Sequence, residues 1–405
     1  MTSVPNRWVI AIAGVIMQVA LGAIYAWSVF RIPLTQAFGW TIPQVTLTFT
    51  IAIFVLGFAA FAGGLWMRRA GPRTVALAAG AFYGAGVFLA SLSAHRLWWL
   101  YCSYGLMGGI GLGLGYIVPV ATLVKWFPDR RGMITGIAVA GFGAGALIAA
   151  PLATRLISAI GVLRTFAVLG GVYFIAITAA GVFMQNPPDG YRPEGWQPSV
   201  RAQQQFTRKL TLAEAVKRWQ WYGLWALLFL NTTAGIAIIS QAAPMAQEIT
   251  HVTAAVAAGL VGMISIANGA GRFLWAWLSD FVGRGRVFLI MFPLQALLFF
   301  ALPSVQSFPA FTALACVILL CYGGGFGTMP AFAADYFGAE HVGSIYGLML
   351  TAWSFAGVLG PTLIAALRQN TGRYDQALHA IAALMFVSTI IPSVIVWRGS
   401  RERTS

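Results

Sequence analysis

One arginine, Arg272, lies inside an apolar stretch that runs from Val252 to Leu278. The sequence has no acidic residue within a helical turn of it, and the residue four positions earlier is Asn268. A charge inside a lipid-spanning helix costs about 3 kcal/mol on insertion scales, so it normally faces a protein interior or a water-filled cavity. Because a planar guanidinium donates two parallel hydrogen bonds to a carboxylate, Arg272 indicates an anion-binding site. The alternative is a side chain that snorkels to the membrane surface near Asp280.

The composition places the rest of the chain in a membrane. Of its 405 residues, 59% are hydrophobic and 9% are charged, whereas soluble domains carry about 25% charged residues. The net charge of +15 would favour nucleic-acid binding in a soluble protein, but here the basic residues fall mostly between apolar segments. The three cysteines lack the spacing of metal ligands. We therefore expect no nucleic-acid partner, cofactor, metal site or disulfide.

Twelve apolar segments are each long enough to cross a bilayer as a helix. They span about 8–30, 43–67, 72–93, 97–125, 131–158, 161–185, 219–247, 252–278, 286–304, 307–334, 341–367 and 375–397. The pattern predicts an all-α integral membrane protein.

A single sizeable polar interval, 186–218, divides these segments into two sets of six. It begins with a proline- and glycine-rich run that cannot continue a helix. Thr211 and Glu214 then have the spacing of a capping box, which predicts the start of a short amphipathic helix. The predicted domains are an N-terminal six-helix bundle at 1–185, a cytoplasmic linker at 186–218 and a C-terminal six-helix bundle at 219–405.

The distribution of lysine and arginine predicts the orientation in the membrane, because cytoplasmic loops carry an excess of both. With the N-terminus inside, eighteen of the 25 basic residues fall on the cytoplasmic side and six on the opposite side, with Arg272 as the remaining one. We therefore expect a multi-pass protein of the inner (plasma) membrane with both termini in the cytoplasm. The cytoplasmic set is Arg7, Arg68, Arg69, Arg73, Lys125, Arg130, Arg131, Arg192, Arg201, Arg208, Lys209, Lys217, Arg218, Arg284, Arg286, Arg398, Arg401 and Arg403, and the opposite set is Arg31, Arg96, Arg155, Arg164, Arg368 and Arg373.

The two halves of the chain resemble each other at the turns between segments. Phe127 and Phe337, which precede similar glycine-containing runs, are 210 residues apart, and Gly71 and Gly283 are 212 apart. Weak internal similarity at half the chain length is typical of a transporter built from parallel repeats.

The turn after the eighth segment carries Asp280, Gly283 and Arg284, a pattern that resembles the signature loop of the major facilitator superfamily. The equivalent turn of the first half has Gly64 and Gly71, but Arg68 stands where the family has its aspartate. The usual charge contact of that aspartate is therefore missing from the first half.

More specific motifs resemble the oxalate/formate antiporters and the related monocarboxylate transporters. The motifs are YAWSVF in the first segment, WFPDRRG between the fourth and fifth, NGAGRFLWAWLSD in the eighth, and GFGTMPAFAADYFGAEHVGSIYGLM across the tenth and eleventh. The resemblance covers all twelve segments, and it implies a major facilitator fold of two six-helix bundles.

Carried over residue by residue, the resemblance implies a central substrate site. Arg272 matches the arginine that pairs with the substrate carboxylate, and Asn268 stands where some members have an aspartate. Trp353 stands where oxalate transporters carry a second cation, a lysine. The aromatic positions that line the site are matched by Tyr25, Tyr116, Tyr322, Phe142 and Phe326.

The resemblance and the single interior cation together predict the function. One arginine balances one negative charge, so a monocarboxylate such as L-lactate is favoured over a dicarboxylate. By resemblance to the lactate transporters, we expect proton symport by alternating access, with carboxylate exchange of the oxalate/formate type as the alternative. A monomer is expected to be functional, and no paired carboxylates or nucleophile indicate an enzyme.

The residue that carries the proton stays open at this point. All ten acidic residues fall at or outside the ends of the apolar segments. Either the substrate carries the proton, or a side chain near a segment end relays it. The candidates for gating or proton coupling are Asp280, Arg284, Asp335, Glu248 and His251.

Overall fold

A computed structural model describes residues 5–197 and 209–401. Ten of its helical segments are long and apolar enough to cross a membrane. One of these, Ile42–Leu92, is two helices in sequence, because Gly71 breaks it with a φ of 77° and a ψ of 165°. The helix Ala254–Val282 brings the number of long helices in the described residues to twelve. The all-α architecture predicted from the apolar segments is confirmed.

The twelve helices follow the order of the apolar segments. They are α1 (Arg7–Phe38), α2 (42–70), α3 (72–92), α4 (Leu97–Trp126), α5 (Arg131–Ile160), α6 (Val162–Gly181), α7 (Trp219–Thr250), α8 (Ala254–Val282), α9 (Arg284–Ser304), α10 (Phe308–Phe337), α11 (Val342–Thr371) and α12 (Asp375–Arg398).

The described parts of the polar interval between α6 and α7, up to residue 197 and from residue 209, lie at one end of the bundle. We call this end the linker side and the opposite end the far side. A capping box joins Thr211 and Glu214 at the start of a short helix, Leu212–Ala215. Just before it, the backbone N–H of Leu210 donates to the carbonyl of Phe337, 3.0 Å away, so the linker is attached to the end of α10. The remaining part of the predicted linker, 198–208 with Arg201 and Arg208, lies outside the described residues, as does Arg403.

The two halves, α1–α6 and α7–α12, contact each other mainly where α5 meets α8 and α2 meets α11. Small residues allow the backbones to approach closely, as is common between helices in membranes. A side chain added at Gly64 of α2 would collide with the carbonyl of Gly343 in α11. Near the middle of the same contact, the hydroxyl of Ser354 donates to the carbonyl of Phe54 at 2.6 Å.

Candidate functional site

Arg272 lies near the middle of α8 and is completely buried. Its Nε donates to Oδ1 of Asn268, one turn earlier, at 3.3 Å, and its Nη1 donates to the carbonyl of Val139 in α5, also at 3.3 Å. The side chain therefore faces the junction of the two halves and does not snorkel to a membrane surface. A glycine makes this packing possible, because any side chain at Gly327 of α10 would collide with the carbonyl of Arg272.

The third nitrogen of the guanidinium, Nη2, has no hydrogen-bond partner among the described residues. No acidic side chain of those residues pairs with Arg272, whose charge instead faces the rings of Phe142 and Phe326, with the guanidinium carbon 5.6 and 5.0 Å from the ring centres. Ring faces stabilise a cation only partly, by about 2 kcal/mol when desolvated. The site thus holds a buried positive charge with an unused donor.

The unused donor is surrounded by further donors that lack partners in the described part of the chain. They are the hydroxyls of Tyr25, Tyr116 and Tyr322 and the indole N–H of Trp353. Tyr25 lies beside both Arg272 and Tyr322, but neither contact has the distance and angles of a hydrogen bond. Buried polar groups normally find partners, so this set of converging donors fits a ligand with several acceptor atoms and a negative charge, which is the description of a carboxylate.

Aromatic rings pack around these donors in a group that we call the aromatic box. The ring of Phe142 in α5 lies 5.3 Å from those of Tyr25 and Tyr116, and 5.7 Å from that of Trp353. On the other half, the ring of Phe326 lies 4.7 Å from Trp353 and 5.3 Å from Tyr322. The rings meet edge to face, which is a favourable geometry for aromatic pairs. The structure brings all eight residues of the predicted substrate site together, three from the first half of the chain and five from the second.

Local backbone geometry orients one member of this box. The segment Ala23–Trp27 of α1 tightens into a 3₁₀ helix, and Tyr25 lies at its centre. Such a segment inside an α-helix changes the direction in which the following side chains point and often marks a functional hinge.

A cleft of about 290 Å³ lies between α5 and α8 beside this site. Gly143 and Gly269 line it together with Leu147 and Ser265. An added Cβ at Gly143 would lie 3.6 Å from Cδ of Arg272, so the cleft borders the buried arginine.

Three of the predicted gating residues meet at the linker side. Asp335 at the end of α10 accepts from Arg131 of α5 at 3.0 Å and from Arg284 of α9 at 3.1 Å. Arg284 also pairs with Asp280 at 2.7 Å and donates to Ser279. This four-residue group, Asp280, Arg284, Asp335 and Arg131, joins the first half to the second, and we call it the linker-side ion cluster.

The other two gating candidates lie at the far side, away from Arg272. Glu248 near the end of α7 accepts from Arg368 of α11 at 2.8 Å and from the backbone N–H of Tyr374 at 3.2 Å. His251 follows α7 in a left-handed conformation with a φ of 56°. Both partners of Glu248, Arg368 and Tyr374, belong to the second half, so these contacts do not join the halves.

A different group of charges lies where α2 meets α11 on the linker side. His341, just before α11, has its pKa lowered from 6.5 by burial and by the nearby cation Arg68. Its neighbour Glu340 pairs with Lys209 of the linker at 2.9 Å, and this bond lowers the pKa of the Glu340 carboxyl. Arg68, which stands where the family has an aspartate, thus places a cation near His341.

Sequence reasoning did not identify several polar residues of this core. Arg131 was expected only as a loop cation, yet it completes the linker-side ion cluster. Gln18, Asn231 and Gln295 are completely buried and hydrogen-bonded across helices. Amide side chains inside apolar segments were the available signal, since such groups require partners in a bilayer.

The comparisons with known proteins agree with this architecture. The family model described as Major Facilitator Superfamily matches residues 10–361 and 224–405. The chain belongs to this superfamily. It is accordingly a multi-pass secondary transporter and not an enzyme, as predicted.

Among superfamily members of similar sequence is a protein of Escherichia coli (strain K12) named uncharacterized MFS-type transporter YhjX. It is 30% identical over 359 residues, which cover 87% of this chain and 86% of that protein. The oxalate:formate antiporter of Oxalobacter formigenes is 24% identical over 98% of this chain and 93% of its own length. Monocarboxylate transporter 13 of Rattus norvegicus is 24% identical over 94% and 87%. The predicted resemblance to these branches of the superfamily is confirmed.

Solved structures share the superfamily fold at low sequence identity. The transporter FucP in its outward conformation aligns with a TM-score of 0.69 at 15% identity, over 95% of this chain and 98% of that one. The proton:xylose symporter XylE aligns with a TM-score of 0.72 at 11% identity, over 95% and 94%. The predicted major facilitator fold is confirmed.

Proposed function

We propose that this transporter carries small monocarboxylates, with L-lactate as the leading substrate and pyruvate-like acids as further ones, and that Arg272 binds the carboxylate. The observation that carries the proposal is the unpartnered Nη2 of a completely buried arginine, surrounded by tyrosine hydroxyls and an indole N–H without partners in the described residues. A carboxylate supplies both the missing charge and the missing acceptors. The names of the oxalate:formate antiporter and monocarboxylate transporter 13 support a carboxylate substrate.

The charge of the site favours one carboxylate over two. Among the described residues, Arg272 is the only basic residue in contact with the aromatic box. On α11, the box is completed by the uncharged Trp353. A dicarboxylate would leave its second charge buried among rings, at a cost of several kcal/mol. The close ring contacts also favour small substrates.

We propose that the carboxylate moves together with a proton. Joint movement is electroneutral, so a membrane potential that is negative inside does not oppose uptake; a lone anion would lose about 2.3 kcal/mol per 100 mV. The acidic groups at Asp280 and Asp335 are engaged in the linker-side ion cluster, and Glu248 is engaged with Arg368. This engagement favours a proton that enters the central site with the substrate. Exchange of one carboxylate for another is the second candidate, since it needs no titratable group in the centre.

Alternating access would follow from rocking of the two six-helix halves about the site. In this proposal residues 1–185 and 219–405 are the moving units, 186–218 connects them, and the linker-side ion cluster holds the linker side closed. We assign the linker side to the cytoplasm because it carries most of the lysine and arginine. The monomer contains the complete site, which supports function without a second copy.

Uptake of radiolabelled L-lactate into proteoliposomes tests the proposal. The protein is compared with Arg272→Ala and with Arg155→Ala, an exposed arginine on α5, as a matched control. We expect uptake that rises with an inward proton gradient, is lost in Arg272→Ala and is kept in Arg155→Ala. Uptake that ignores the gradient but requires carboxylate inside the vesicles would instead support exchange. Normal uptake by a folded Arg272→Ala protein would contradict the substrate site.

A further inference from the structure

Each half of the molecule contains a buried amide that donates to the main chain of a site tyrosine. In the first half, Nε2 of Gln18 on α1 donates to the carbonyl of Tyr116 on α4 at 3.1 Å. In the second half, Nδ2 of Asn231 on α7 donates to the carbonyl of Tyr322 on α10 at 2.9 Å. Both amides are completely buried.

The two amides occupy equivalent places in the repeat. Gln18 and Asn231 are 213 residues apart, close to the 210–212 that separates other equivalent residues of the halves, and each joins the first helix of its half to the fourth. The two tyrosines are 206 residues apart, so the acceptor of the second half lies about one to two turns before the position equivalent to Tyr116. In both halves, therefore, a buried amide on the first helix donates to the carbonyl of a site tyrosine on the fourth, although the two tyrosines are not at equivalent positions.

The helices that carry the two tyrosines contain glycine and proline close to them. Tyr116 follows Gly113 and Gly115, and Pro119 removes a backbone hydrogen bond one turn later. Tyr322 precedes the run Gly323–Gly325, and Pro330 removes a further bond in the same helix. Glycine and proline make a helix easy to bend. An interhelix bond at the tyrosine's own carbonyl fixes the backbone where these helices are least rigid.

The amide of the second half is itself held in place. Nε2 of Gln295 on α9 donates to Oδ1 of Asn231 at 3.0 Å, which leaves Nδ2 of Asn231 directed at the carbonyl of Tyr322. Gln295 is also completely buried. Because Gln295 donates to the oxygen of the Asn231 amide, the nitrogen of that amide is the end that faces α10 and donates to the carbonyl of Tyr322.

We propose that Gln18 and Asn231 are positioning residues that set the two site tyrosines, Tyr116 and Tyr322, at the distance required by the ligand. The inference rests on the proposed function, because it concerns hydroxyl groups that bind the carboxylate bound by Arg272. Neither amide touches the ligand. Gln18 acts through α4, whereas Asn231 acts through α10 and is oriented by Gln295.

Variants of matched shape test this role in transport. Gln18→Met and Asn231→Leu remove the donor and keep nearly the same volume. Because the tyrosine hydroxyls would shift while Arg272 stays in place, we expect the KM for L-lactate to rise about tenfold with the maximal rate changed by less than about twofold. The controls are Thr165→Val and Thr233→Val, whose buried hydroxyls bond within their own helices at 2.8 Å. Both controls should leave KM unchanged.

A second measurement reports on the tyrosines without substrate. In the full-length protein labelled with 3-fluorotyrosine, the fluorine resonances of Tyr116 and Tyr322 are assigned from the variants Tyr116→Phe and Tyr322→Phe. We expect Gln18→Met to shift the Tyr116 resonance and leave that of Tyr322, and Asn231→Leu to do the reverse. The result holds whether or not lactate is the substrate, so it separates this inference from the proposed function.

The two readouts also distinguish positioning from simple packing. If both amides serve only to hold helices together, each variant lowers the melting temperature and the maximal rate, leaves KM unchanged and moves neither resonance selectively. That outcome, or unchanged KM and resonances in stable variants, would overturn the inference.

Discussion

The carboxylate of Asp280, in the second half, caps the first turn of α5, in the first half. Its Oδ1 accepts from the backbone N–H of Gly132 at 3.0 Å and its Oδ2 from that of Met133 at 2.8 Å. The first N–H groups of a helix have no partner in the helix itself and carry a partial positive charge, so a carboxylate satisfies both needs. One acidic side chain thus closes the linker side through the backbone of the opposite half.

The equivalent junction between α2 and α11 is built differently. Arg68, 212 residues before Asp280, cannot accept hydrogen bonds from the start of α11. There the halves meet through the close approach of Gly64 and Gly343. The linker side is therefore closed by ionic contacts at one junction and by backbone packing at the other.

Weakening the linker-side ion cluster should open this side. Asp335→Asn removes the charge that binds both Arg131 and Arg284, and loss of one partner leaves these largely buried cations without full compensation. We expect the population open on the linker side to rise by about tenfold or more, equivalent to about 1.4 kcal/mol.

Spin labels measure this opening in a background without native cysteines. Labels at the exposed positions Arg73 and Arg286, one in each half, report the distance by electron–electron double resonance. Asp129→Asn is the control, because Asp129 pairs with Arg7 at 2.7 Å inside the first half. Equal distance distributions for Asp335→Asn and Asp129→Asn would refute the role of the cluster.

Restoring the family's acid should strengthen the second junction. In Arg68→Asp, a carboxylate replaces a cation near the first turn of α11, and such a change contributes about 0.3–2 kcal/mol at a helix N-terminus. We expect the same spin-label pair to show less linker-side opening and lactate uptake to slow. Arg69→Asp, an exposed neighbour with the same change of charge, should have little effect. More opening in Arg68→Asp than in Arg69→Asp would count against this account.

A second cation on α11 should admit dicarboxylates. Trp353→Lys places an ammonium where the rings of Phe142 and Phe326 now meet Trp353. The second carboxylate of oxalate then gains a partner, so we expect oxalate to inhibit lactate uptake at a concentration at least about tenfold lower than in the parent protein. Trp353→Leu enlarges the site without adding charge. If it gains oxalate binding to the same degree, space and not charge excludes dicarboxylates.

His341 should make the stability of the protein sensitive to acid. Burial and then the cation Arg68 lower its pKa from 6.5; Glu340 opposes them, and Lys125 and Glu214 make smaller contributions of opposite sign. The folded protein therefore prefers the neutral imidazole, and the stability that this preference contributes is complete above pH 6.5 and is lost as the pH falls below it. We expect the melting temperature of His341→Gln to fall less than that of the parent between pH 8 and pH 5. Parallel melting profiles would show that His341 makes no such contribution.

The amino-acid sequence by itself determined the number of helices, their division into two halves and the presence of one interior cation. Each of these is a one-dimensional pattern: apolar length sets a membrane span, the 210–212-residue offset marks the repeat, and Arg272 is visible because a charge in an apolar segment is exceptional. The resemblance to the monocarboxylate branch supplied the aromatic positions, which composition could not distinguish from ordinary packing in a chain with 14% aromatic residues.

Only the tertiary structure decided which polar groups meet. Asp280 caps a helix 147 residues away in sequence, Arg131 reaches Asp335 across 204 residues, and Gln18 reaches the carbonyl of Tyr116 across 98. Such contacts depend on the rotation and depth of two helices at once, and neither quantity is fixed by the sequence of either helix. In a bilayer the apolar surface of a helix can face lipid or protein at similar cost, so small residues and interhelix hydrogen bonds determine the packing and thereby the site.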